Sequence, residues 1–582
     1  MEARTASTPG PVWGIDRTGP AWAARAYAPA GGQDHLGLGS VSSDRILPLL
    51  SPGINVMTIH PRYWSVYAWI LDDFWAHDLP RTRSAFVQFY RPREALFAFA
   101  CQVCDTPEHG TVTGNIVGSG STAREAQTAT EFDSGHDYIK EALGGFGLYY
   151  RSVMESIGLV ERADPLAGLP YDTVTPAGKA LATAYRSEVA DTELVRTFLA
   201  LPTVSDPVPR TVLEEFARKG CLCQLRKANN ADLPLLQDLF MHLGDPTSAR
   251  RNSLRFLLDL CTTTNDDGLN QDRFRQLIYF RSLDSETYVP QAGTAALARR
   301  WRLYQAREYF SFTLNRLWAW LARRGLDWSS DGLALVPMAD IWNSLRDELS
   351  ASDLAAGRGV TGPSFVADTP VADLVDWLAG RVDVTGDLNA VWPRNIAADE
   401  HELYSRCDNV NDDADTLMAM MAILLLVYRR IGTPVRQLTL GGDMDIVREG
   451  GALRIGMARF FTALHQELKK NPTLIDLLTW IYSSWIIPQH ERVAVAKLVN
   501  GDTFRFRRVG TALQFYQQDA PVDLNDSRYR ALSTIVHELG LVSALHQPGR
   551  KLTASGKMLL SSGDLPAGAM AAAIEALGLG EA

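Results

Sequence analysis

One pattern occurs twice in this chain, far apart in the sequence. The first copy runs over Tyr150–Val160 (YRSVMESIGLV) and resumes at Thr175–Leu181 (TPAGKAL). The second runs over Tyr529–Leu532 (YRAL) and Val536–Val542 (VHELGLV) and resumes at Thr553–Leu559 (TASGKML). Each copy reads as an apolar helix, a glycine that ends it, a short strand, a turn region, and a Thr-x-x-Gly-Lys segment opening another helix. Gly158 and Gly540 supply the left-handed conformation that such a helix end requires.

This is the pattern of a winged helix, a helix-turn-helix variant closed by a small β-hairpin, in which one short helix can enter a nucleic-acid groove while its neighbour braces it. Charge separates the copies. Between Tyr138 and Arg186 five cations meet five carboxylates. Between His490 and Leu560 ten cations meet six carboxylates, in a chain whose net charge is −10. Phosphate contact is driven by such local cations and the counterions they release. The candidate contact residues are therefore Arg505, Arg507, Arg508, Arg528, Arg530, Arg550, Lys551 and Lys557, with a wing at Gln547–Arg550. The first copy is expected to be a packing or partner module.

A chain of 582 residues is too long for one core. The expected class is mainly α with small β elements, an α+β multidomain chain with two winged-helix-like modules. The expected divisions are an aromatic-rich helical domain over 1–135, the first module over 136–190, a helical middle region over 191–400, a helical domain over 401–488, and a basic hairpin with the second module over 489–582. The hydrophobic content of 46% excludes disorder as the main state. The acidic balance excludes a nucleic-acid contact spread over the whole surface. No signal peptide is read in residues 1–30, and the apolar runs Tyr63–Leu71 and Leu417–Tyr428 fall short of a membrane span. No membrane contact and a cytoplasmic location are expected. Leu417–Tyr428, with acids before it and Arg429 and Arg430 after it, reads as a central buried helix.

Other segments read as structure. The aromatics of Tyr63–Trp75 occur on nearly every side and predict a packed core helix rather than a base-stacking platform. The Gly114–Thr122 run lacks the lysine of a phosphate loop, and Thr122 with Glu125 predicts a capping box. Residues 294–324 predict one long helix ended by Gly325, its seven arginines lying on a solvated face. Leu474–Ile487 predicts an aromatic-rich helix closed by Pro488, and Asp502–Tyr516 a hairpin with one greasy and one basic face.

No catalytic signature stands out. There is no zinc-protease helix, nucleophile elbow or Walker loop, and no catalytic residue or cofactor is assigned. Gly441-Gly442-Asp443-Met444-Asp445 resembles part of a nucleotidyltransferase signature without its spacer, so a tight turn is preferred, with a divergent metal-dependent nuclease using Asp443 and Asp445 as a lesser alternative. The Asp399–Glu402 acids are expected to be solvated helix ends. Cys101/Cys104 and Cys221/Cys223 form two close pairs, but a structural zinc site wants four ligands at knuckle spacing, so reduced core thiols are expected and no metal is assigned.

The segment Leu36–Gly39 through Leu47 and Leu49, then Pro52–Trp64 (PGINVMTIHPRYW), resembles the opening of a loose group of uncharacterised bacterial proteins met near phage-defence and restriction genes. The resemblance covers the N-terminal quarter at most. It implies a bacterial source and a defence setting, and it transfers no catalytic residue. The sequence thus points to a subunit that binds DNA or RNA or acts as a scaffold with other protein subunits. An obligate protein-interaction subunit that binds no nucleic acid is the main alternative.

Overall fold

The computed structural model describes residues 34–579 apart from 112–113, 165–170, 264–267, 284–285, 330–334, 352–364, 381, 383–385, 395–397, 410–412, 446–452, 501, 517–521 and 545–549. It is mainly helical, with small antiparallel sheets. The chain forms two compact units, neither continuous in sequence. Unit 1 comprises residues 1–47, 275–289 and 298–525; unit 2 comprises 48–274, 290–297 and 526–582. The serial order read from the sequence misses this interleaving, because nothing in a local pattern says that the chain returns to an earlier unit.

Unit 2 is built on the helix Arg62–Ala76, which is buried on nearly every side. Trp64 stacks on Phe240 at 4.4 Å, and Tyr63, Tyr67 and Tyr150 cluster with centroids 4.9–5.4 Å apart. Both copies of the repeat lie in this unit. In the first, the helix Arg151–Ser156 leads through Gly158 (φ 80°) to an antiparallel pair, Val160–Glu161 on Thr173–Val174, and then to the helix Pro176–Val189. In the second, the helix Tyr529–Glu538 leads through Gly540 (φ 73°) to a bridge between Val542 and Leu552 and then to the helix Ala554–Ser562.

The hydrogen bonds recur one for one. Leu159 N–H donates to Met154 O, and Leu541 N–H to Val536 O, both at 2.8 Å. The Thr175 hydroxyl donates to Gly158 O and the Thr553 hydroxyl to Gly540 O, both at 2.7 Å. Each threonine also caps its helix, accepting from Gly178 N–H or Gly556 N–H at 3.1 Å. A side chain at Gly178 or Gly556 would lie 2.2 or 2.0 Å from the carbonyl oxygen of Leu159 or Leu541. The glycine of Thr-x-x-Gly is therefore required by close approach of the preceding strand.

The Gly114–Thr122 segment departs from expectation. The helix begins at Ser119, because Gly118 takes φ 75° and lets the chain turn in early. Thr122 lies inside it, donating to Gly118 O at 3.0 Å, and Glu125 pairs with His136 at 2.9 Å. No capping box forms there.

Unit 1 centres on two helices. Asp413–Val427 is buried throughout Leu417–Val427, as its sequence predicts. Ala295–Trp328 runs straight through Gly325, whose missing side chain makes room for Phe515. Its arginines are not all solvated. Arg302 is buried, lies 4.1 Å over the Trp392 ring, and donates to Leu388 O at 2.7 Å and Ala390 O at 2.9 Å. Arg307 is also buried. Asp399 and Glu400 are core rather than solvated: Asp399 accepts from the His401 and Glu402 N–H groups, and Glu400 pairs with buried Arg430 at 2.6 Å.

The helix that begins at Leu474, capped by a Thr473–Asp476 box, does not stop at Pro488. A widened π-helical turn, Tyr482–Ile486, precedes the proline, and the helix continues as Ile487–Lys497. The wider turn accommodates a ring that would clash with the carbonyl four residues back in a regular α-helix. The predicted hairpin forms between Phe506–Val509 and Ala512–Phe515, turning at Gly510, with Leu335–Pro337 as a third strand. Phe506, Leu513 and Phe515 are buried, and Arg507 and Arg508 are exposed. Among the described residues no single helix is long and apolar enough to cross a membrane.

Candidate nucleic-acid interface and a thiol–imidazole cluster

The eight cations singled out by sequence do not form one group. Arg505, Arg507 and Arg508 belong to unit 1, and Arg528, Arg530, Arg550, Lys551 and Lys557 to unit 2. Arg528 is buried at φ 58° and donates to the Ser51 carbonyl and hydroxyl at 3.3 Å. Arg550 is half-buried, 3.1 Å from the Cys261 sulfur. Arg530 and Arg505 are half-exposed, Arg505 donating to Thr503 O at 3.5 Å. Arg507, Arg508, Lys551 and Lys557 are exposed. Most of the wing at Gln547–Arg550 lies outside the described residues. In the second repeat the helix Tyr529–Glu538 is buried at every residue but Arg530. The helix Tyr529–Glu538 is thus core in this fold, and of the cations singled out in the second copy only Lys551 and Lys557 are exposed.

A different constellation appears in unit 1. A cleft of about 590 Å³ is lined by Arg454, Arg459, Arg492, Trp480, Trp485, Ser484 and Gln489, with no carboxylate among its lining residues. Arg454 precedes a helix, and the other groups come from that helix and from the long helix interrupted by the π-turn. Arg459 comes from Met457–Leu468 and Trp480 from Leu474–Ile481. Ser484 and Trp485 sit in the π-helical turn, and Arg492 lies seven residues beyond Trp485, on one side of the continuing helix. Phe460, fully buried, holds both indoles from below, at 5.7 Å from Trp480 and 4.9 Å from Trp485. Arg454 reaches Asp44 at 3.6 Å, whereas Arg459 and Arg492 have no ion-pair partner among the described residues. The hairpin docks on the same helix: Arg508 N–H donates to Glu491 Oε1 at 2.8 Å, and Arg505 N–H to His490 Nε2 at 3.1 Å. The strand bearing exposed Arg507 and Arg508 is thus tied to the helix that bears Arg492. Guanidinium groups recognise phosphate, and half-exposed indoles offer flat faces for stacking.

Asp443, considered with Asp445 for metal-dependent catalysis, pairs with Arg299 at 2.9 Å, and Gly441 takes φ 51° in a tight turn.

The two cysteine pairs converge in unit 2. Cys104 and Cys223 approach to 3.7 Å, and Cys221 lies 3.6 Å from His109 Nδ1. The ligand atoms of Cys104, His109, Cys221 and Cys223 all lie within 4.8 Å of one another, which makes them the one such group among the described residues. Hydrogen bonds from Cys221 and Cys223 hold the Cys104 thiol far below the ordinary thiol range, and hydrogen bonding to Cys104 and Cys223 pushes His109 up to about 9.

Compared with protein-family models, with curated proteins and with solved structures, the chain matches none. Sequence reasoning passed over His109, Arg454 and Arg459, counted Arg492 among the C-terminal cations without choosing it, and read Trp480 and Trp485 only as part of an aromatic-rich helix. A signal existed in the Trp485-to-Arg492 spacing of two helical turns and in the four-residue gap between Cys104 and His109.

Proposed function

We propose that this protein is a non-catalytic nucleic-acid-binding subunit whose contact surface is the arginine–tryptophan cleft of unit 1, extended by Arg507 and Arg508. The observation that carries this reading is three guanidinium groups converging on two half-exposed indoles without a neighbouring carboxylate in the lining. Indoles stack only on bases that are not already stacked in a duplex, so the ligand class is single-stranded DNA or RNA. The π-helical turn that carries Trp485 supports the reading, since such turns recur at functional sites.

The test is a fluorescence-anisotropy titration of labelled single strands and a duplex at several salt concentrations. The expected result is preferential single-strand binding with quenching of tryptophan emission. Arg459→Glu combined with Arg492→Glu weakens binding and reduces the slope of log affinity against log salt by about 1.4, the value for two lost single-strand phosphate contacts. Unchanged affinity and slope in a folded double variant would overturn the reading.

The second reading, a subunit held by protein partners, is favoured by Val435 and Leu438, which stand 72% and 83% exposed on the short helix Pro434–Leu440. A stoichiometric co-purifying protein, with no binding to any strand, would favour it.

A further inference from the structure

We propose that Cys104, His109, Cys221 and Cys223 bind one zinc ion in a closed, structural site that ties together the ends of two helices of unit 2. Three thiols and an imidazole are a zinc donor set, soft enough to disfavour magnesium or calcium. The spacing fits as well. Tetrahedral bonds of about 2.3 Å to sulfur and about 2.0 Å to nitrogen give edges of about 3.8 Å between sulfurs and about 3.5 Å between sulfur and nitrogen. The observed separations are 3.7 Å for Cys104–Cys223 and 3.6 Å for Cys221–His109.

Each pair of ligands follows the end of a helix. Cys104 lies two residues beyond the helix Arg83–Gln102, and His109 sits in the 3₁₀ turn Pro107–Thr111. Cys221 ends the helix Arg210–Gly220, and Cys223 lies in the 3₁₀ turn Leu222–Arg226. Buried Arg62 fixes the second pair by donating to Lys219 O at 2.8 Å and Cys221 O at 2.6 Å, with Asp232 as its counter-ion. The outer shell is polar and matched to sulfur. The Thr106 hydroxyl is 3.2 Å from Cys104 and 3.3 Å from Cys223, and Gln224 Nε2 is 3.0 Å from Cys223. Cys101 belongs to the obvious Cys-x-x-Cys pair in the sequence but is outside the four-ligand group, as a core residue 3.8 Å from Cys221.

Four protein ligands fill a tetrahedron and leave no open position for water or substrate, so the ion is structural rather than catalytic. A cleft of about 470 Å³ that includes Thr106 and Cys223 in its lining gives the ion a way in. Arg226, three residues beyond Cys223, donates to Val542 O and Ser543 O at 3.4 Å. The metal-held turn thereby buttresses the strand of the second repeat.

The experiment is elemental analysis of protein purified under reducing conditions without chelator. One zinc per chain is expected, lost in Cys104→Ser and in Cys223→Ser and retained in Cys101→Ser. Because a ligand variant can fail to fold, the wild-type chain is also stripped with a chelator and titrated with Co(II). The expected spectrum is that of a tetrahedral thiolate complex, with visible d–d bands and a sulfur-to-cobalt charge-transfer band, both erased by added Zn(II). Metal-free wild-type protein that shows no thiolate charge transfer with Co(II) would overturn the proposal.

Discussion

The two copies of the repeat share their backbone and differ in what surrounds them. The helix Arg151–Ser156 of the first copy keeps Ser152, Glu155 and Ser156 exposed. The helix Tyr529–Glu538 of the second is enclosed, and Glu538, which stands where Ser156 stands in the first copy, is buried against His60 at 2.6 Å. A recurring set of turn bonds therefore fixes the course of the chain without fixing which copy meets solvent. Charge counting along the sequence favoured the second copy as the contact surface, and burial is the property that such counting does not contain.

The largest expected effect separates the copies. Glu538→Ala leaves a buried imidazole without its partner and should cost about 3–5 kcal/mol, whereas Ser156→Ala at the matching exposed position should stay within about 0.5 kcal/mol. Urea denaturation of both variants checks this; equal effects would break the comparison. The same pair gives the second copy a pH dependence. Burial pulls the His60 value down, but the charge and hydrogen bond of Glu538 and the Gly114 carbonyl outweigh it, and the net shift is upward. A raised folded-state value stabilises fully below the unfolded value of about 6.5 and loses that contribution as the pH rises through the folded value. The melting temperature should therefore fall as pH is raised past 6.5, and His60→Gln should flatten the fall.

A middle-sized effect should unite the copies. Gly178→Ala and Gly556→Ala each drive a methyl group into a strand carbonyl, at 2.2 and 2.0 Å, and each should cost about 1–3 kcal/mol. Thermal melts in which only one substitution destabilises would show that the shared geometry is coincidental.

The smallest effect sharpens the same point. Thr175→Val and Thr553→Val each remove a helix cap and a bond to a glycine carbonyl, and each should cost about 1 kcal/mol. Matching losses in equilibrium unfolding would confirm that the cap contributes the same in an enclosed and an open copy.

What could be read from the sequence was local. The repeat, the Asp502–Tyr516 hairpin and the apolar Leu417–Val427 helix each carry their signal within a short window, because turn glycines and side-chain periodicity act between near neighbours. What could not be read was long-range. Arg302 is buried because carbonyls 86 and 88 residues away receive its guanidinium, and Gly325 is a packing position because Phe515 arrives from a distant hairpin. The candidate sites divide in the same way. The arginines of the cleft come from separate segments of the chain, and the thiol–imidazole group joins positions more than a hundred residues apart, so their meeting depends on tertiary structure. Of the Cys101-x-x-Cys104 pair only Cys104 joins the thiol–imidazole group, because Cys101 is a core residue of the Arg83–Gln102 helix and Cys104 lies beyond its end.

The π-helical turn at Tyr482–Ile486 has a consequence for how this chain can tolerate change. Such a turn fits one residue more than an α-helical turn into the same full rotation, so removing a single residue there would restore ordinary winding and leave the segments on either side in phase. Trp480 and Arg492 would keep their common side, but the widened backbone that carries Ser484 and Trp485 would be gone, and Pro488 would meet the carbonyl four residues back. Length at this point, and not only composition, is what natural variation would have to conserve.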